Sequence, residues 1–313
     1  MNSITVFNNY GRNEKEMAEK REFPSAQVTS LILFILSSIF AVYLASIALQ
    51  VEPSTSASTT TSGFGYVAYY LVAAIVFSVL LILLARRFRL NFLKWLFIAV
   101  IGLMVFYIWN YLGLVIAYTL NEYYAIIIAA PVIMVLALIL NNKWYVVNIA
   151  GFFLTSGMAF VLGFILGIWA AAVFLAAFAI YDYISVYKTK HMIDLAKIAI
   201  DKDLPMLFVF PTDFSKEVGK IQITEDGVEG HSVMALGFGD VAFPGIMVVA
   251  SSIYGIKIGH FVPFLILPLV GGIVGMVYLV MGNVKKPAPG LPFLNTGVII
   301  GTLLSYLLFV IIH

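Results

Sequence analysis

The sequence has no cysteine, little charge and few histidines, and each shortage closes off a chemistry. Without Cys there is no disulfide, no thiolate metal site and no thiol nucleophile. The four histidines, His191, His231, His260 and His313, all fall at boundaries or in polar connections. None is placed to activate a serine such as Ser156, so a Ser–His hydrolase within the membrane is disfavoured. No H-E-x-x-H occurs, which excludes a zincin, and nothing calls for a metal or an organic cofactor. Only 11% of the 313 residues are charged, against about 25% in a typical soluble domain. The net charge of +2 is too small to suggest nucleic acid as a partner. The first ~27 residues carry mixed charges such as Arg12, Glu14 and Lys15 and lack the apolar core of a cleaved signal peptide. The first apolar run is therefore expected to be retained.

What the chain has in abundance is apolar surface. It is 62% hydrophobic, with a mean hydropathy of +1.02, which makes it an integral, multi-pass, all-α membrane protein. A membrane helix needs roughly 20 mostly apolar residues, and about nine such runs are expected on that criterion. They lie near 28–49, 65–84, 95–119 and 124–140, then as two runs from 144–187 split near 163–167. The last three are near 232–253, 261–281 and 291–312. The chain thus reads as one membrane domain in three parts: 1–187 with six runs, a polar connection 188–231, and 232–313 with three runs. No internal repeat is visible. Lys and Arg gather in alternate connections, including Arg86, Arg87, Arg89, Lys143, Lys188, Lys216, Lys285 and Lys286, while the opposite side receives Lys257. Since cytoplasmic loops are enriched in these residues, the N-terminus and the 188–231 connection are expected in the cytoplasm.

Two acids stand against this background. Asp182, in Tyr181-Asp182-Tyr183, lies about 9 Å of helix before Lys188, and Asp240 lies about 13 Å after His231, at 1.5 Å per residue. Their runs leave the same connection in opposite directions, so the carboxyls are expected to meet at similar depth. An ionisable group inside a membrane is costly and is a functional candidate by default. Two facing carboxyls in a dry site tend to share a proton, the arrangement in which one takes a proton from water while the other protonates a carbonyl oxygen. Two alternatives stand beside that one. Each acid is separately satisfied by hydroxyls or backbone, or the pair serves a cation leak channel or proton-coupled transporter.

The surroundings of the acids are distinctive. Leu236-Gly237-Phe238-Gly239 precedes Asp240 and Pro244 follows, loosening the helix there. Pro287, Pro289 and Pro292 make the entry to the last run rigid and extended. In the polar connection, residues 192–199 have an amphipathic pattern. Leu207-Phe208-Val209-Phe210 reads as a strand closed by Pro211, and 221–224 as a second, followed by an Asp226-Gly227 turn.

Tyr181-Asp182, then Leu236-Gly237-Phe238-Gly239-Asp240, then Pro289-Gly290-Leu291 before the last run resemble the presenilin and signal peptide peptidase family of intramembrane aspartyl proteases. The resemblance is carried mainly by 181–293. It implies a nine-span protease with Asp182 and Asp240 as its catalytic pair and the segment Pro289, Gly290, Leu291 shaping the active site. The family reads Pro-Ala-Leu where this chain has Gly290. The implied partners are transmembrane segments of substrate proteins and the lipid bilayer, with a homo-oligomer left open. With its N-terminus inside, the chain looks like an archaeal presenilin homologue in the cell membrane. A substrate helix must unwind around the bond to be cut, and its freed backbone then needs partners where water is scarce. Strand addition onto Leu207-Phe208-Val209-Phe210, or onto a neighbouring strand, is expected to supply them.

Overall fold

A computed structural model describes residues 28–51, 69, 72, 91–141, 143–184, 205–211, 222–224, 227–229, 233–281 and 290–312. Among the described residues seven helices are long and apolar enough to cross a membrane. They are α1 (Val28–Val51), α2 (Asn91–Ile116), α3 (Leu120–Leu140), α4 (Trp144–Ile184), α5 (Phe238–Lys257), α6 (Phe261–Met281) and α7 (Leu291–Ile312). The expected run at 65–84, the N-terminal tail, the amphipathic stretch 192–199 and Pro289 lie outside the described residues, apart from Tyr69 and Val72.

Local signals explain several helix ends. The α3 start is fixed by a capping box: Thr119 Oγ1 accepts from the Glu122 N–H at 3.3 Å, and the Glu122 carboxylate accepts from the Thr119 N–H at 3.2 Å. Helix α4 has 41 residues, about 61 Å if straight and about twice the ~30 Å hydrocarbon core. It does not run straight. Gly167 adopts φ 70°, ψ 176° inside it, a conformation open to glycine and hostile to other residues. The two halves fold about that point, as the split near 163–167 anticipates.

Helix α5 sits at the centre of the bundle. It packs on α4 where Gly163 faces the Ile246 carbonyl and the Val249 side chain, and Gly245 faces Ala159. Helices α6 and α7 approach until the backbones at Gly271 and Gly297 touch, the close packing that small residues allow in lipid. Polar side chains join the helices as well: Ser37 on α1 hydrogen-bonds Thr155 at 3.1 Å and Ser156 at 2.9 Å on α4.

Four short strands form two antiparallel pairs: β1 (Leu207–Pro211) with β4 (Val233–Gly237), and β2 (Gln222–Thr224) with β3 (Gly227–Glu229). The β2–β3 register pairs Thr224 with Gly227, so Gly227 belongs to the strand rather than to the turn expected at Asp226-Gly227, and residues 225–226 lie outside the described residues. One boundary differs from the sequence reading. The run 232–253 is not helical throughout, because Val233–Gly237 is a strand and α5 begins at Phe238. An apolar stretch does not itself distinguish strand from helix; pairing with β1, which the Leu-Phe-Val-Phe sequence makes a strand, decides it.

Candidate active site

The strand-to-helix change puts Asp240 in the first turn of α5 rather than deep in a continuous helix. A carboxylate is favoured there by the helix dipole. Gly237 caps the helix in an extended conformation, φ −64° and ψ 140°. Asp182 stands in the last turn of α4 and is 3% exposed, whereas Asp240 is partly exposed. Asp182 is near enough for its charge to act on Asp240.

The start of α7 joins them. The Leu291 N–H donates to Asp182 Oδ2 at 3.3 Å. One residue earlier, Gly290 lies against the other acid: a Cβ added there would stand 2.9 Å from Asp240 Oδ1. On the opposite oxygen, a Cβ at Gly237 would stand 3.1 Å from Asp240 Oδ2. The two glycines therefore bracket one carboxyl group, and the backbone 290–291 reaches from one acid to the other. Both Gly290 and Leu291 are buried.

Aromatic rings fix the supports. Phe243, one turn beyond Asp240, packs on Phe178 with centroids 4.5 Å apart, one turn before Asp182. A Cβ at Gly239 would lie 3.3 Å from the Phe243 ring. Phe238 packs edge-on to Phe208 at 4.6 Å, and both rings crowd over Gly151 of α4. Leu236 is buried in β4 opposite Phe208. Phe208 and Phe210 point into the core; Leu207 and Val209 are partly buried. Tyr181 is 43% exposed and meets Phe178 edge-on at 6.3 Å. The structure thus brings together Asp182, Gly237, Asp240, Gly290 and Leu291, surrounds them with Leu236, Phe238 and Gly239, and leaves Tyr181 on the outside. Among the described residues no group of three or more His, Asp or Glu side chains is placed to hold a metal ion.

Two asparagines near the site were not singled out by sequence reasoning. Asn295, one turn after Leu291, is 1% exposed and donates from Nδ2 to the Leu175 carbonyl of α4 at 3.0 Å. Asn148, near the start of α4, donates from Nδ2 to the Val209 carbonyl at 2.8 Å and accepts the Val209 N–H on Oδ1 at 2.9 Å. The signal was available: a carboxamide in an apolar run demands partners.

Comparison with known proteins gives a consistent result. The family described as signal-peptide peptidase, presenilin aspartyl protease matches residues 31–311. A solved presenilin family intramembrane aspartate protease, in a C222 crystal form, is 25% identical with a TM-score of 0.66; the match covers 90% of this chain and 99% of that one. A second such structure, in a P2 crystal form, is 26% identical with a TM-score of 0.58, covering 88% and 96%. None of the curated proteins matches.

Proposed function

Because the chain belongs to the signal-peptide peptidase and presenilin aspartyl protease family, we propose that Asp182 and Asp240 are its catalytic pair and that it cuts peptide bonds in or near transmembrane helices of other proteins. One observation carries this reading: two consecutive residues border both carboxyls, the Leu291 N–H donating to Asp182 and Gly290 leaving no room for a side chain beside Asp240. With one carboxyl ionised and the other protonated, the first takes a proton from water as its oxygen attacks the scissile carbonyl. The second gives its proton to the carbonyl oxygen. Collapse of the tetrahedral intermediate breaks the C–N bond, and a proton passes to the leaving amine. The Leu291 N–H orients Asp182, and Gly237 and Gly290 border the Asp240 carboxyl on either side.

The substrate backbone pairs with β4. Val209 of β1 turns its N–H and carbonyl away from β4, to Asn148, so by antiparallel alternation its partner Ala235, and with it Val233 and Gly237, turn their backbone groups outward. That edge leads to Asp240, since Gly237 at its end lies against the Asp240 carboxyl. A substrate strand laid along β4 is thereby delivered to the dyad. The asymmetry of Lys and Arg supports a cytoplasmic N-terminus, with the dyad toward the cytoplasmic side.

The test is incubation of purified protein in lipid vesicles with a reporter transmembrane peptide, reading products by mass spectrometry across a pH series. Cleavage should rise and then fall with pH, with apparent pKa values belonging to the pair. Asp182→Asn and Asp240→Asn should each lower it by about 10³-fold or more, the scale of general acid–base contributions, and the double variant should be no worse than either. Cleavage by a folded single variant at the wild-type rate would refute the assignment.

A further inference from the structure

A two-stranded sheet has two outer edges, and in β1–β4 they are not equivalent. The β4 edge carries outward backbone groups toward Asp240. On β1 the corresponding outward residues are Leu207, Val209 and Pro211, and the central one, Val209, pairs in register with Ala235. Its N–H and carbonyl are both taken by one side chain, the carboxamide of Asn148, at 2.9 and 2.8 Å. A primary amide offers one donor and one acceptor group at the spacing of a peptide. Asn148 therefore occupies the centre of the β1 edge as one residue of a third strand would.

The same side chain ties the sheet to the helix that carries Asp182. Asn148 is near the beginning of α4 and Asp182 near its end, and α4 folds about Gly167 between them. Sheet height relative to the dyad is then set from both sides: by Gly237 running directly into α5, and by Asn148 clamping Val209. Below the clamp, the rings of Phe208 and Phe238 pack over Gly151, three residues further along α4.

We propose that Asn148 is a positioning and specificity residue, which closes the β1 edge to extended peptide and fixes the register in which a substrate strand on β4 presents its bond to the dyad. The proposal rests on the strand-docking reading given above. Edge closure matters because an open strand edge accepts any extended chain, and a strand added at β1 would lie one strand further from Asp240. Register matters because a slip by one residue turns every side chain to the other face.

The experiment uses the full chain in lipid vesicles and two independent readouts. The first is amide hydrogen exchange at Val209 without substrate. In Asn148→Leu it should be at least about tenfold faster than in wild type, as expected when a part-buried hydrogen bond is lost. Asn148→Gln, which keeps both groups on a longer stem, should retain part of the protection. The second is the product pattern from the reporter transmembrane peptide. Wild type should cut at one dominant bond; Asn148→Leu and Asn148→Asp should spread cleavage over neighbouring bonds, and Asn148→Gln should narrow it again. A purely structural asparagine would lower thermal stability and leave the bond choice unchanged. Unaltered exchange at Val209 would overturn the clamp, and unaltered bond choice in a folded variant would overturn the register role. If Asn148→Leu does not fold, Asn148→Asp and Asn148→Gln decide both points. If wild type does not cut the reporter at all, the protease reading fails by that result alone, while the exchange measurement still decides the clamp.

Discussion

Helices α3 and α5 are nearly equal in length and opposite in character. The membrane window of α3 is the most apolar of the seven and only 17% buried; that of α5 is the least apolar and 72% buried. In water the order would be reversed. In a bilayer, lipid satisfies a leucine as well as protein does, so apolarity gives no reason to be inside. What draws α5 to the centre is its small and polar content: Gly239, Ala242, Gly245, Ala250, Ser251, Ser252 and Gly255, most of them buried. These residues let neighbouring backbones approach, and they surround the helix whose first turn holds Asp240. One of the two acids thus sits on the least apolar of the seven helices.

This contrast can be broken in steps of decreasing size, beginning with the dyad substitutions, which should abolish cleavage and leave assembly intact. Next comes bulk. Gly163→Leu places a side chain where even a Cβ would stand 2.7 Å from the Ile246 carbonyl oxygen. Overpacking of this kind costs about 1–3 kcal/mol or more, so thermal stability in lipid vesicles should fall sharply, with activity. The matching change Ala129→Leu on the exposed face of α3 should move stability by less than about 0.5 kcal/mol. Equal losses would mean that α3 is covered by protein rather than lipid.

A smaller effect is expected from Asn295→Leu. It removes the bond to the Leu175 carbonyl, which holds α7 to α4 one turn below the Leu291–Asp182 contact. Interhelical hydrogen bonds in membranes are worth about 0.6–2 kcal/mol. A positioning role predicts a ~3–30-fold lower kcat with KM little changed; an equal change in both would contradict it. The smallest effect belongs to Thr119→Ala, which removes the α3 cap. It should destabilise the helix start by about 1 kcal/mol, visible as faster amide exchange around Glu122, without altering peptide cleavage.

Much of the site could be read from the sequence, for reasons that the same contrast explains. Asp182 and Asp240 stood out because a charge in an apolar run is costly, Gly237 and Gly239 because they flank Asp240, and Gly290 and Leu291 through the resemblance of the proline-rich entry to the family's Pro-Ala-Leu. The strand 207–210 was legible because alternating aromatic and branched residues end at Pro211. Strand β4 was not, because Val-Met-Ala-Leu-Gly continues smoothly into an apolar helix and only its partner across the sheet defines it. Asn148 and Asn295 were missed for a related reason. A carboxamide announces that it has a partner but not which one, and their partners lie 61 residues and 120 residues away along the chain.

The glycine contacts between α6 and α7 also carry a mechanical consequence. A Cβ on Gly271, Gly275, Gly297 or Gly301 would strike the backbone of the facing helix, so the two helices have no side-chain cushion over which to slide. They behave as one stiff plank. Leu291 is fastened to its upper edge, and its amide is the latch on Asp182. A visiting peptide that needs the space around that carboxyl cannot lift the latch by turning α7 alone. It must swing the plank as a whole against the surrounding lipid. The stiffness of the bilayer thereby enters the work of opening, and a thicker or more ordered membrane should slow cleavage without touching a single residue of the dyad.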